Sequence, residues 1–352
     1  MREVTFCQAI HEALTQAMEK DENVFLMGEG VDDPRAIFGS TRGLREKFGK
    51  ERVFDLPLSE NGMTGVMIGA ALAGMRPIMT HQRLDFTLYA MDQIVNHAAK
   101  RCYTSAGIQS VPLTIRAIIG RGWGQGSQHS QSLQSLFAHI PGLKVVMPTT
   151  PYDAKGLLLA SIWDNNPVIF IEYRRLYEEV GEVPEEPYVL PIGKGILRCE
   201  GKDVTIVAVS YMVLEALRAK KMLDKLGVSV EIVDPRTLKP LDEEIILQSV
   251  RKTGRLVIAD TGWKTCGIAA EIAALAAEKE FRSLKAPLRR VTLPDIPTPT
   301  SSVLEQVFYP GPTEIAKAVC DVMSISEETL SKELELFHSA PPSSRKQFVG
   351  PF

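Results

Sequence analysis

No Cys-x-x-Cys pair occurs in the chain, and its five cysteines (Cys7, Cys102, Cys199, Cys266, Cys320) are odd in number and far apart. That pattern argues against a zinc site, a redox dithiol or a disulfide framework, and the expected state is reduced thiols in a cytosolic protein. No apolar run approaches the length of a membrane span, and the opening Met-Arg-Glu-Val-Thr-Phe leads into an amphipathic pattern instead of a signal-peptide core. Charge of one sign is lacking too. The 40 basic and 43 acidic residues are well mixed and leave a net charge of −3, so no footprint for nucleic acid or an anionic membrane exists. Walker loop, Gly-x-Ser-x-Gly elbow and His-Glu-x-x-His are all absent, and His11-Glu12 has no second histidine to hold a metal.

What is present is apolar material arranged in alternation. With 352 residues, 45% of them hydrophobic, the chain has enough to fill two cores. Thr5 is placed to cap a helix in which Phe6, Ala9, Ile10, Ala13, Ala17 and Met18 recur at helical spacing, and the run Val24 to Met27 reads as a buried strand. The pattern continues with a Gly/Ala-rich helix from about Asn61 to Ala73, a strand at Ile78 to Thr80, one long helix from Asp85 through Asp92 and Ala99 to Ser105, and a strand at Val111 to Ile119. Thr150-Pro151 opens a further helix between strands at Lys144 to Met147 and Val168 to Ile171. Such alternation predicts an α/β fold with a doubly wound parallel sheet. The stretch Glu178 to Pro191 is rich in Glu and Pro and breaks the periodicity, after which strands near 203–208, 228–233, 255–259 and 288–292 alternate with helices in a second α/β unit. Expected boundaries are a first domain at 1–185, a linker at 186–202, a second domain at 203–325 and a polar tail at 326–352.

Few motifs carry chemistry unaided. The glycine-dense run from Gly120 to Gly126 fails as a dinucleotide fingerprint, because Gln125 and Ser127 stand where its third glycine should fall. Glu60, just ahead of a helix of small apolar residues, reads from its spacing as a carboxylate favouring the helix dipole. His129 follows the glycine run and is equally consistent with a ligand-facing, a capping or a solvated imidazole, and Phe86 reads as core or a hydrophobic staple.

Taken in order, however, Met27-Gly-Glu29-Gly, Arg52-Val-Phe-Asp-Leu-Pro-Leu-Ser-Glu60, Ile68 to Pro77, Ala90 to Lys100, Gln128-His129-Ser-Gln-Ser132, Pro141 to Pro148, Arg236 to Asp242 and Cys266-Gly-Ile-Ala-Ala-Glu271-Ile form a set of blocks. From Val4 to about Val319 the chain resembles the E1 beta subunits of pyruvate, branched-chain 2-oxo acid and acetoin dehydrogenases. The resemblance implies a transketolase-like pyrimidine-binding domain followed by a transketolase C-terminal-like domain, and thiamine diphosphate as cofactor. It implies that Glu60 hydrogen-bonds the aminopyrimidine ring and promotes the tautomer that takes the thiazolium C2 proton, a task needing a proton-sharing carboxyl. Phe86 would orient the pyrimidine, Leu58 would line the cofactor, and His129 would assist proton transfer as an acyl group passes to lipoyl. Backbone carbonyls of Leu113, Ser161, Asp164 and Asn166 would hold K⁺. No Gly-Asp-Gly occurs, so the resemblance implies that diphosphate and Mg²⁺ are bound by an alpha subunit in an α2β2 heterotetramer, with a 2-oxo acid as substrate and a lipoyl-bearing E2 as acceptor.

Departures matter as well. Ahead of Phe86 the family pattern of Glu-Phe and a further aromatic is replaced by Thr80-His81-Gln82-Arg83-Leu84-Asp85, and Arg121 and Trp123 stand where small residues are usual. His81 and Arg83 are therefore expected to meet an anionic substrate at the pocket mouth. Two alternatives to the dehydrogenase stand beside it: half of a split transketolase that works without lipoyl, and a non-catalytic scaffold. Retention of Glu60, Phe86 and His129 together argues against the scaffold.

Overall fold

The computed structural model describes residues 1–33, 35, 37–120, 124–326 and 328–329. Arg121, Trp123 and nearly all of the expected polar tail at 326–352 lie outside these residues.

The first half builds most of a seven-stranded sheet and a separate two-stranded one. β1 (Arg2–Thr5) leads into α1 (Phe6–Lys20), whose start is a reciprocal cap: the Thr5 hydroxyl accepts from Gln8 N, and the Gln8 side chain accepts from Thr5 N. Then come β2 (Val24–Gly28), α2 (Leu44–Phe48), β3 (Val53–Phe54), α3 (Glu60–Leu72), β4 (Arg76–His81), α4 (Leu84–Thr87), α5 (Arg101–Thr104), β5 (Thr114–Ile119), α6 (Gln134–Ala138), β6 (Lys144–Val146), α7 (Pro151–Trp163), β7 (Val168–Tyr173) and β8 (Val180–Val183). Every residue of β5 and β7 is buried, as Val/Ile runs covered on both faces require. α7 begins with Pro151 and a second reciprocal cap between Thr150 and Asp153, and it packs against α1.

In the second half, β9 (Ile196–Cys199), β10 (Val204–Ala208), α8 (Tyr211–Lys225), β11 (Val230–Asp234), β12 (Thr237–Lys239), α9 (Glu243–Thr253), β13 (Leu256–Trp263), α10 (Ile268–Glu280), β14 (Arg289–Leu293), α11 (Ser302–Phe308) and α12 (Pro312–Met323) follow. Its sheet has the order β14-β13-β10-β11-β9, parallel except for the edge strand β9.

Three features depart from the sequence expectation. The helix expected to run unbroken from Asp85 to Ser105 is divided into four segments with three windings: α4, a 3₁₀ turn at Leu88–Ala90, a π-helix at Asp92–Ala98 and α5. In the wide turn Ala99 N donates to Ile94 O at 2.9 Å, and the Asp92 carboxylate accepts from the Asn96 amide at 2.8 Å; hydrophobic spacing does not distinguish these windings. The non-periodic stretch after Glu178 contains β8, which pairs antiparallel with β1, and residues 186–202 contain β9. Finally, β12 leaves the second half and joins the first sheet as an antiparallel edge, giving the order β12-β6-β7-β5-β4-β2-β3. Pairing across 91 or more residues of chain leaves no local trace.

Candidate active site

In the order β7-β5-β4-β2-β3 the strands run parallel, so the segments leaving their C-terminal ends share one edge, the edge at which open α/β sheets take ligands. Glu29 leaves β2, Asp55 to Glu60 leave β3, Arg83 to Phe86 leave β4, and Gly120 to His129 leave β5.

Glu60 is the first residue of α3 and is half-buried. Thr64 donates to its carbonyl at 2.7 Å, so its backbone is committed to the helix while the carboxyl stays available. Leu58, two residues earlier, is 81% exposed. The β2 and β3 exits are tied together by Asp55, whose carboxylate accepts from Gly30 N at 2.8 Å and from Leu56 N at 2.9 Å. Gly30 has φ +71, a left-handed backbone that favours glycine, and a Cβ there would lie 2.7 Å from the Gln82 amide nitrogen, which would have to swing aside.

Glu29 is the residue whose importance the sequence did not reveal. Burial, followed by the charges of Glu60 and Asp55, pushes its carboxyl up to about 7. One of its oxygens is buried without a hydrogen-bond partner among the described residues. The only sequence signal was its place in the block Met27-Gly-Glu29-Gly; its proximity to Glu60 arises because β2 and β3 are sheet neighbours.

Phe86 and His129, both half-buried, come together edge to face with ring centroids 5.2 Å apart. Asp85 accepts from the Gln131 amide at 2.8 Å and from Gln131 N at 3.4 Å, which holds the chain just after His129. Burial raises the Asp85 carboxyl above its usual range, and among the described residues its second oxygen has no hydrogen-bond partner, as is also true of the buried hydroxyls of Ser130 and Ser132.

His81 and Arg83 do not face an anionic substrate, contrary to the expectation from sequence. His81 is 1% exposed, and burial lowers its imidazole to about 4, so it is neutral near pH 7. Arg83 is 2% exposed and spends its guanidinium on Gly120 O at 2.9 Å and on the Gln125 side chain.

The carbonyls named for K⁺ lie behind the sheet edge in contact with other donors. Leu113 O accepts from Val168 N at 2.9 Å, Ser161 O from Asp164 N at 3.3 Å, and Asp164 O from the Arg76 guanidinium at 3.2 Å. Asn166 N donates to the Asp164 carboxylate at 2.9 Å. A cation there would have to share Asp164 with Arg76 and use second lone pairs. Among the described residues no cluster of three or more His, Cys, Asp or Glu side chains is arranged to hold a metal ion, and no helix is long and apolar enough to cross a membrane.

A carboxyl on a helix start, an exposed leucine, a half-buried aromatic and buried oxygens without partners among the described residues line one sheet edge. Residues 2–179 match the transketolase pyrimidine-binding domain and residues 193–315 the transketolase C-terminal domain. The chain is 45% identical to the beta subunit of acetoin:2,6-dichlorophenolindophenol oxidoreductase of Bacillus subtilis (strain 168), covering 92% of this chain and 98% of that one. It is 43% identical to the 2-oxoisovalerate dehydrogenase beta subunit (91% and 98% covered) and 41% identical to the pyruvate dehydrogenase E1 beta subunit (92% and 99% covered) of the same organism. A solved chain described as a split-gene transketolase, inactive beta4 tetramer, shares the fold with a TM-score of 0.74 at 22% identity, over 92% of this chain and 99% of that one. With both domains matched in order and whole-length identity above 40% to three such subunits, the chain belongs to the family of 2-oxo acid dehydrogenase E1 beta subunits.

Proposed function

We propose that the chain is the beta half of a thiamine-diphosphate-dependent E1 component that decarboxylates a 2-oxo acid oxidatively and passes the acyl group to lipoyl. The observation that carries this reading is the convergence of Glu60, Glu29 and the Phe86–His129 pair on one sheet edge. Bound there, thiamine diphosphate supplies the carbon nucleophile and the electron sink that decarboxylation needs.

The chain's own residues have separate tasks. Glu60 exchanges a proton with a pyrimidine ring nitrogen, a step a glutamine could not perform. Glu29, held near neutrality by burial and by Glu60, keeps a second carboxyl with a titration range suited to passing that proton on. Phe86 and Leu58 exclude water and fix the ring's plane. His129, backed by the Phe86 edge, protonates the lipoyl sulfur as the disulfide is reduced and the thioester forms.

The diphosphate, Mg²⁺ and the remaining wall of the site come from an alpha subunit in an α2β2 assembly, since no Gly-Asp-Gly is available in this chain. Leu58 and Tyr89, 81% and 68% exposed, are apolar surface such a partner would cover. A lipoyl-bearing E2 as acceptor, a structural K⁺ at the Leu113, Ser161, Asp164 and Asn166 carbonyls, and a cytosolic location consistent with five separate free cysteines complete the proposal.

Co-expression with an alpha chain, followed by assay of a 2-oxo acid panel with an artificial electron acceptor, tests it. Thiamine-diphosphate-dependent turnover that is lost in Glu60→Gln is the expected result. Cofactor binding with ketol transfer but no 2-oxo acid turnover would replace it with the split-transketolase reading, and no cofactor binding in the assembly would leave a scaffold.

A further inference from the structure

Arg83, one of the residues in the Thr80–Asp85 stretch that departs from the family pattern, sits at the extended residue just before α4, with φ −137° and ψ 138°. Burial lowers its guanidinium to about 10 while Asp85 favours the charged form, so it remains a cation at neutral pH. No carboxylate forms an ion pair with it among the described residues; its two arms go instead to Gly120 O and the Gln125 side chain. Gly120 opens the glycine run, and Gln125 lies near its end, just before Gly126. Gly120 itself, at φ +86, leaves no room for a Cβ, which would lie 2.6 Å from the Tyr173 ring, and a Cβ on Gly126, at φ +64, would strike the Thr300 hydroxyl of the second half.

The same short segment holds the rest of the loop. Asp85 binds Gln131 beyond the histidine, and Phe86 meets the imidazole itself. Residues 83, 85 and 86 thus grip the loop before, after and at His129. Arginine's planar fork fixes the directions of its two arms toward two acceptors, whereas lysine offers a rotatable point charge and methionine offers nothing.

We propose that Arg83 is a positioning residue for His129, a bridge between Gly120 just after β5 and Gln125 four residues before the histidine, which sets the imidazole for acyl transfer to lipoyl. The proposal rests on the dehydrogenase reading above. Truncating the clamp releases the loop while Glu60 and Phe86 stay in place, so the steps that use His129 suffer most.

The experiment uses the assembled alpha–beta enzyme carrying Arg83→Met, Arg83→Lys or Gln125→Ala, with amide exchange over residues 124–131 measured alongside. The expected result is that acylation of a lipoyl domain falls at least about tenfold more than turnover with an artificial acceptor, since small misplacements of a reacting group are costly. Arg83→Lys should fall between wild type and Arg83→Met, Gln125→Ala should add little on top of Arg83→Met, and exchange at 124–131 should quicken in Arg83→Met while β4 and β5 stay protected. Equal losses in both assays, or unchanged exchange in the loop, would overturn the proposal. Should the wild-type enzyme acylate no lipoyl domain at all, the dehydrogenase reading fails, and the exchange result alone decides whether Arg83 clamps the loop.

Discussion

Phe86 and His129 meet edge to face, with ring centroids 5.2 Å apart and planes 81° apart. A contact of this kind is worth about 0.5–1.5 kcal/mol beyond the area it buries, so each ring biases where the other settles. Under the proposed function, pyrimidine binding and proton delivery to the acyl acceptor share this contact, which gives separable consequences for each side chain.

Replacement of His129 by alanine should reduce lipoyl acylation by roughly 10²-fold, the usual share of a general acid. Decarboxylation measured with an artificial acceptor should fall less. Pre-steady-state assays with a free lipoyl domain distinguish the two; parallel losses would move His129 into the decarboxylation step.

Glu60→Gln should retain the fold and lose at least about 10²-fold in thiamine-diphosphate-dependent turnover, because an amide can accept a hydrogen bond yet cannot relay the proton. Circular dichroism and turnover on the same preparation check this. Activity within a few-fold of wild type would remove Glu60 from its assigned role.

Glu29 predicts a pH dependence. Its carboxyl stands at about 7 in the folded chain against 4.5 in the unfolded one, so the native state binds the extra proton between these values. The associated stability is fully present below pH 4.5 and is lost as pH rises through about 7. Glu29→Gln, which resembles the protonated form, should flatten that decline and be the more stable protein at pH 8. Thermal melting of the isolated chain across this range provides the measurement, and identical profiles would show that Glu29 is not perturbed.

Gly126→Ala should loosen the glycine loop, because a left-handed alanine costs about 1–2 kcal/mol and its methyl group collides with the Thr300 hydroxyl. The additional change Thr300→Ala should restore part of the loss. Denaturant midpoints of the single and double variants test the collision: no recovery would mean that the backbone strain alone is responsible.

Beneath the site, Glu172 receives Arg116 at 2.6 and 3.0 Å and the Tyr177 hydroxyl at 2.5 Å, with both charges fully buried between β5 and β7. Glu172→Ala would strand the Arg116 cation, at a cost of about 3–5 kcal/mol. Equilibrium unfolding should show the midpoint fall accordingly; an unchanged midpoint would mean that water reaches the guanidinium.

Much of this protein was legible in its residues. Apolar runs such as Val168 to Ile171 and caps such as Thr5-x-x-Gln8 and Thr150-x-x-Asp153 depend on neighbours a few positions away, so strands and helix starts could be read directly. Glu60, Phe86 and His129 were visible as a site only because whole blocks of sequence resembled a known family; their spacing alone also suited ordinary structural roles. What tertiary structure decided were relations between segments that are distant in the chain. The raised carboxyl of Glu29 exists because β2 and β3 lie side by side, β12 belongs to the first sheet because its backbone finds a free edge on β6, and Arg83 is buried with its guanidinium on Gly120 O and the Gln125 side chain. Burial and the company of other charges set protonation and reach, and both are properties of packing rather than of local sequence.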